Sequence, residues 1–359
     1  MLVPKKKYRN VMALVPLVML AVVTGTRYYM GGYDIYNYEY TFNTIPSLSN
    51  FHLWETFKTY GFFGSDIGYR FINSLIKSLG FNFFGFTLIV SFFFYICVYF
   101  GLSKFSNNMN IVVIILMYKE FLGLTFIYMR QSIAVGFFLL SLRFLFTNRP
   151  FRYVLTILVA STIHFSAIFL LPLYLLKFVR LTKKGIIIYS CVFTVSYVVS
   201  LSNINILGFM SPIAELFSGS AQEKISSVAG DSDLYQGGTS ILHLVEFLVV
   251  DMLLIYIFNH LTLNQTREWM IKLFLCVLPF YSILAGEGIL ARIPFYLLLS
   301  YAFIIDYFVD NSRHAVRALT YLAVIIVCFG GMYMFAQKFD GGEMLLYRSF
   351  LHYNLSIFN

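Results

Sequence analysis

Residues 149–178 read Arg149-Pro-Phe-Arg152-Tyr-Val-Leu-Thr-Ile-Leu-Val-Ala-Ser161-Thr162-Ile163-His164-Phe165-Ser166-Ala-Ile-Phe-Leu-Leu-Pro172-Leu-Tyr-Leu-Leu-Lys177-Phe178. This long apolar run carries one His at its centre and basic residues at both ends, and its path decides how the chain is threaded. A single crossing would put Lys177, Arg180, Lys183 and Lys184 on the side opposite Arg149 and Arg152, carrying every later basic loop with them. Basic loops collect on the cytoplasmic side of a membrane. A hairpin bent near His164 keeps both basic ends there, so the bent path is adopted. Two short arms meeting at His164 are tolerated only where they pack in protein or line a cavity.

Working outward, runs of roughly 18–25 apolar residues recur along the chain, the length that crosses a bilayer. The expected spans are 10–27, 83–101, 110–127, 131–147, the bent 153–178, 186–201, 241–258, 269–285, 289–308 and 318–335. The fold class is an all-α polytopic membrane bundle of roughly eleven segments. One membrane-embedded domain, 1–359, is expected, interrupted by two polar outer segments, 28–82 and 202–240. The apolar stretch Val11–Thr26 lacks a small-x-small cleavage site and reads as an uncleaved first helix. No internal repeat is visible.

Composition supports this class. The 359 residues are 59% hydrophobic and 12% charged, more apolar surface than a soluble core could hide. Strand alternation is absent, which argues against a membrane barrel. The net charge of +9 resides in short loops (Lys5–Lys7, Arg149, Arg152, Lys183, Lys184, Arg267, Arg313, Arg317), so it orients the chain and implies no nucleic acid. Cys97, Cys191, Cys276 and Cys328 are scattered in apolar runs and imply neither disulfides nor a zinc site.

Within the first outer segment, Phe71, Leu75, Ile76 and Leu79 recur at helical spacing and predict an amphipathic helix on the outer surface. The second, rich in Ser, Gly and Asn, suits either a lid or a flexible connector.

Several residues can carry chemistry, each with a plainer role beside it. Arg130 opens a span, where a guanidinium in hydrocarbon costs roughly 2.5–3.5 kcal/mol. It grips a phosphate or snorkels to headgroups. Ser132 and Gly136 follow it at the spacing of close helix packing. His164, crowded by Ser161, Thr162 and Ser166, is a general base or a buried His bonded to a helix end. Arg292, in Gly286-Glu287-Gly288-Ile-Leu-Ala-Arg292-Ile-Pro294, either pairs with Glu287 or adds a second cation for a pyrophosphate. Pro294 should disrupt the helix there. Asp34 and Asp66 bind sugar hydroxyls, act as a base, or cap turns. Asp231-Ser-Asp233 matches a metal-binding pattern that is short and common. Lys119-Glu120, and His243 with Glu246 and Asp251, suit an ion path or interhelical pairing.

Taken in order, four elements resemble the EpsG-like branch of the Wzy-type bacterial polysaccharide polymerases, which make O-antigen and capsule. They are Asp34 with Tyr36, Asn37 and Tyr38; Asp66-Ile-Gly68-Tyr69; Arg130-Gln131-Ser132-Ile133-Ala134; and Ala160 to His164-Phe165-Ser166-Ala167. Arg292 before Phe295 and Tyr296 is a fainter fifth. The family usually has Glu-Pro where this chain has Asp66-Ile67.

The resemblance implies a GT-C-like glycosyltransferase in the bacterial inner membrane, its site facing the periplasm or exterior. It would pass a growing glycan from undecaprenyl pyrophosphate to a lipid-linked repeat unit, with no metal or other cofactor. Arg130 and Arg292 would hold the pyrophosphate, with Gln131, Asp66 and Glu287 in the binding set. His164 would take the hydroxyl proton, with Asp34 as the alternative. Tyr33, Tyr36 and Tyr38 would stack on sugars and 202–240 would close over the acceptor. Partners implied are the lipid-linked oligosaccharide, membrane lipid, a chain-length regulator and a flippase. A flippase for the same lipid, or a membrane acyltransferase modifying surface glycans, are the competing functions.

Overall fold

The structure, a computed structural model, describes residues 6–56, 58, 66–201, 241–282 and 292–358. The segment 202–240 with Asp231 and Asp233, and Glu287 with its flanking glycines, lie outside the described residues. Among those described the chain is helical, and its only strand-like pairings are two isolated bridges. Six helices are long and apolar enough to cross a membrane: Phe83–Leu102, Met109–Ile127, Met129–Phe146, Lys183–Leu201, Ile241–His260 and His314–Lys338. The protein is an all-α polytopic membrane protein.

It divides into two compact units, Met1–Ile168 with Ser312–Asn359, and Phe169–Asn311. The first holds α1 (Lys6–Met12), α2 (Leu14–Gly25), α3 (Asp34–Thr44), α4 (Ile67–Ser78), α5 (Phe83–Leu102), α6 (Met109–Leu116), α7 (Met129–Phe146) and α8 (Pro150–Ile163). The second holds α9 (Lys183–Leu201), α10 (Ile241–His260), α11 (Gln265–Tyr281), α12 (Pro294–Leu297) and α13 (Ser300–Asp310). The first unit is completed by α14 (His314–Lys338).

Side-chain caps set several helix starts. Asn82 accepts from Gly85 N at 3.1 Å to open α5, and Asn108 accepts from Asn110 N at 3.2 Å to open α6. Pro150 opens α8, where its missing N–H costs no helical bond.

Small residues let the helices of the first unit approach. Gly25 of α2 meets Leu88 of α5, Gly101 of α5 meets Leu139 of α7, and Gly136 of α7 meets Phe93 and Cys97. This is the close packing expected from Ser132 and Gly136. Beyond Leu116 the α6 backbone widens into a π-helix over Met117–Ile127, which the sequence reading missed. The widening presents Tyr118 to Gly331 of α14 and turns Glu120 fully inward.

The two ends of this unit differ in chemistry. At one end, Asn10 Nδ2 donates to Ser103 O at 2.8 Å, Phe105 packs on Phe146 at 4.7 Å, and Asn108 Nδ2 donates to Tyr321 OH at 2.5 Å. These contacts gather the turns bearing Lys104, Arg149 and Arg313, so the basic residues share one end. The opposite end gathers the tyrosine-rich segment after α2. There Arg27, almost fully buried, donates to the carbonyls of Met30 (3.1 Å), Thr24 (2.5 Å) and Phe126 (3.4 Å).

Residues after α14 return to this second end, a feature no sequence pattern announced. Tyr28 N donates to Arg348 O at 2.9 Å and Phe350 N to Thr26 O at 3.0 Å. Asn82 N donates to Ile357 O at 3.1 Å, and Phe81 stacks on Phe358 at 4.8 Å.

The helix predicted around residues 66–79 forms as α4. Ile67, Tyr69, Asn73, Ser74 and Ile76 face inward, while Phe71, Leu75 and Leu79 stay exposed. Among the inward polar groups, Asn73 Nδ2 donates to Tyr69 O at 2.7 Å and Ser74 Oγ to Pro46 O at 2.9 Å. Small polar residues can therefore face the bundle, leaving an apolar edge of the kind that meets lipid at an interface.

Helix α8 ends where the break was expected. His164 has extended backbone (φ −146°, ψ 118°), and a 3-10 helix then runs over Phe165–Phe178. Fourteen residues of α helix reach about 21 Å, short of the roughly 30 Å of hydrocarbon.

In the second unit, α10 packs against α9 and α13 around Phe247, whose ring lies 4.8 Å from Tyr281 and 6.1 Å from Phe193. The span expected over 289–308 is interrupted, as α12 and α13 are separate helices and Pro294 opens the first. Glu246 Oε1 accepts from Tyr301 OH at 2.7 Å, so this carboxylate is engaged between helices.

Candidate functional site

Arg130 lies in the first turn of α7, just after the π-segment ends. A cation at a helix N-terminus opposes the helix dipole and needs other support. It receives that support from two elements. Arg130 Nη1 donates to Asp66 Oδ2 at 2.5 Å. Its guanidinium carbon lies 5.6 Å from the centre of Tyr38 on α3 and 5.9 Å from Tyr69 on α4, within range of cation–π attraction. The side chain is 38% exposed and that of Asp66 20%, so the pair is reachable from outside the protein.

Asp66 occupies the N-cap position of α4, where Asp ordinarily accepts from the helix's own first N–H groups. Here its side chain makes no such bond, and its backbone is left-handed (φ 43°). The carboxylate reaches across to Arg130 instead.

Beneath the pair, Tyr38 and Tyr69 pack edge to face at 6.1 Å, and Tyr69 meets Phe86 of α5 at 6.0 Å. Burial raises the Tyr69 phenol above its ordinary range, and the Arg130 charge opposes that only in part, so the ring presents a neutral hydroxyl. Lys77 Nζ donates to the carbonyls of Phe42, Asn43 and Ile45 at 3.3, 2.8 and 2.7 Å, closing the end of α3 and tying it to α4.

Gly68, two residues past Asp66, rests against Thr162 and Ile163 at the end of α8. This contact brings the Asp66–Arg130 pair and the His164 break into one neighbourhood. His164 is buried, its Nδ1 2.6 Å from Ser166 Oγ. Ser161 and Thr162 bond back to their own helix carbonyls, each at 2.7 Å.

A sequence model of the EpsG family matches residues 10–355, nearly the whole chain. The chain belongs to the EpsG family. That makes it a membrane protein of polysaccharide-polymerase type. No curated protein and no solved structure matches it.

In this EpsG-family chain the predicted residues divide. Arg130 contacts both Asp66 and Tyr38, and Gly68 joins the Asp66 helix to Thr162 and Ile163, just before His164. Asp34 opens α3 one turn before Tyr38. Tyr36 faces away, exposed and stacked on Tyr29 at 5.2 Å. Tyr29 OH in turn donates to Glu39 Oε1 at 2.6 Å. Tyr38 is buried, so its ring supports the guanidinium, whereas Tyr33, Tyr36 and Tyr40 are exposed. Gln131 is fully buried, away from the exposed tip of Arg130. Arg292, half-buried just before α12, belongs to the second unit. Among the described residues no group of three His, Cys, Asp or Glu is arranged to hold a metal ion.

Tyr69, Gly68 and Lys77 also build the site. Their only signal was position: each falls on the helix that Asp66 begins.

Proposed function

We propose that the protein is a membrane glycosyltransferase that moves a growing glycan from a polyprenyl pyrophosphate, undecaprenyl in bacteria, to a lipid-linked repeat unit. The observation that carries this is the half-exposed Arg130 guanidinium, held between Tyr38 and Tyr69 at the end opposite the basic loops. Basic loops mark the cytoplasmic side, so this end faces outward across the bacterial inner membrane. A guanidinium at the start of a helix suits a phosphate doubly, by charge-assisted hydrogen bonds and by the adjacent helix dipole.

In the reaction, the acceptor hydroxyl attacks the anomeric carbon while the glycosidic bond to pyrophosphate breaks. Arg130 stabilises the charge that develops on the leaving oxygens. The proton acceptor comes from His164, Asp34 or Asp66. Exposed Tyr33 and Tyr36 stack on sugar rings.

Reconstituted protein supplied with lipid-linked repeat units tests this. Glycans should lengthen, and Arg130→Ala should abolish lengthening at normal protein level. Relocation of the lipid without lengthening would establish a flippase instead, and acylated glycans an acyltransferase.

A further inference from the structure

We infer that Asp66 is the proton acceptor of this site, and that donor binding releases it for that role. The inference rests on the glycosyl-transfer reading above. Asp66 stands where an Asp would normally cap α4, yet its carboxylate is diverted to Arg130. Both partners are partly exposed, and both are oriented by packed neighbours: Arg130 by Tyr38 and Tyr69, Asp66 by the turn that begins α4. His164, by contrast, is 8% exposed and engaged with Ser166.

The pair therefore has two arrangements. Without donor, Asp66 Oδ2 is held by the guanidinium. A pyrophosphate carries more negative charge than one carboxylate and offers oxygens in the fork geometry that a guanidinium prefers. It takes Arg130 and leaves Asp66 beside the leaving group, facing the solvent side from which an acceptor arrives.

The step then balances. The acceptor O–H bond breaks and its proton passes to the Asp66 carboxylate. The acceptor oxygen forms a bond to the anomeric carbon, and the bond from that carbon to pyrophosphate breaks. Its electron pair leaves on the pyrophosphate, which Arg130 holds. Donor binding thus frees Asp66 Oδ2 at the point where a proton acceptor is needed.

The competition between carboxylate and pyrophosphate is what the experiment reads. The full chain is reconstituted as wild type, Asp66→Asn, Asp66→Glu and Arg130→Gln. Each is measured for binding of inorganic pyrophosphate and for lengthening of lipid-linked repeats. Asp66→Asn should bind pyrophosphate about two- to fivefold tighter, the gain expected from removing a partly exposed ion pair. It should lengthen glycans about 100-fold more slowly or worse. Asp66→Glu should recover part of the rate, and Arg130→Gln should lose pyrophosphate binding.

Weaker or unchanged pyrophosphate binding by Asp66→Asn would overturn the inference and leave Asp66 as a support for Arg130. Lengthening at the wild-type rate would overturn it equally. Should Asp66→Asn fail to assemble, Asp66→Glu decides: retained binding with partial lengthening supports the role, and retained binding with none overturns it. A wild-type protein that lengthens nothing refutes the transferase reading itself, a separate result.

Discussion

Gly68 on α4 and Thr162 on α8 touch so closely that no side chain fits between them. A Cβ on residue 68 would stand 2.3 Å from Thr162 Oγ1 and 3.0 Å from Ile163 Cγ1. The helix that carries Asp66 is thereby fixed to the helix that ends just before His164, and the whole site depends on a missing methyl group.

Gly68→Ala should therefore push α4 off α8. Overpacking of this kind costs about 1–3 kcal/mol, and the displaced helix carries Asp66 and Tyr69 with it. Thermal unfolding in detergent should show the loss, with pyrophosphate binding reduced in the same sample. A variant with unchanged melting and binding would mean that the contact is not tight in solution.

His164 should behave as a positioning residue if Asp66 takes the proton. His164→Gln retains a hydrogen-bonding side chain that can reach Ser166, and should keep most of the lengthening rate. His164→Ala removes the bond and should lower both stability and rate. A His164→Gln protein that binds pyrophosphate normally but transfers nothing would restore His164 as the base.

Tyr118 and Gly331 offer a test of the π-segment. A Cβ at residue 331 would lie 2.0 Å from the Tyr118 ring, so Gly331→Ala alone should destabilise by about 1–3 kcal/mol. Combined with Tyr118→Ala, most of that penalty should vanish, because the cavity left by the ring accepts the methyl. Additive losses in the double-mutant cycle would show that the two residues do not meet.

The pH dependence of the outer cluster has a definite sign. Burial raises the Tyr69 and Tyr29 phenols in the folded protein, and for Tyr29 the bond to Glu39 adds to it. In the unfolded chain both ionise near the ordinary tyrosine value of about 10. Their contribution to stability is complete below that value and declines as pH rises through it toward the higher folded values. Stability measured between about pH 9 and 11 should fall, and Tyr69→Phe should flatten the slope; an unchanged slope would remove Tyr69 from this account.

Much of this was legible in the residues. Long apolar runs and loop charges revealed an all-α membrane chain, and a lone His in one such run marked a real helix break. Arg130, Asp66 and Tyr38 were each visible as costly or unusual residues in an apolar sequence. Their union was not, because Asp66 and Arg130 lie 64 positions apart and no local pattern reports a contact at that distance. Phe71, Leu75 and Leu79 form the regular apolar stripe that announced α4, and they remain exposed on it. Hydrophobic periodicity locates a helix face, but it does not say whether lipid or protein covers it. Arg27 went unnoticed for a related reason: it looked like a basic end of a span, whereas its donors are spent on backbone carbonyls left open where α2 and the π-segment end.

The return of residues 347–358 to the tyrosine-rich end imposes an order on assembly. Thr26 and Tyr347, whose hydroxyls meet at 2.8 Å, are separated by 321 positions, with most of the membrane helices between them. During synthesis the first helices must enter the bilayer and wait, their outer turns unpaired, until that late segment has followed. The entropy of closing so long a loop grows slowly with its length, but its contacts cannot form early. A chain stopped before residue 347 would therefore lack these contacts and leave the tyrosine-rich end of the bundle unfinished.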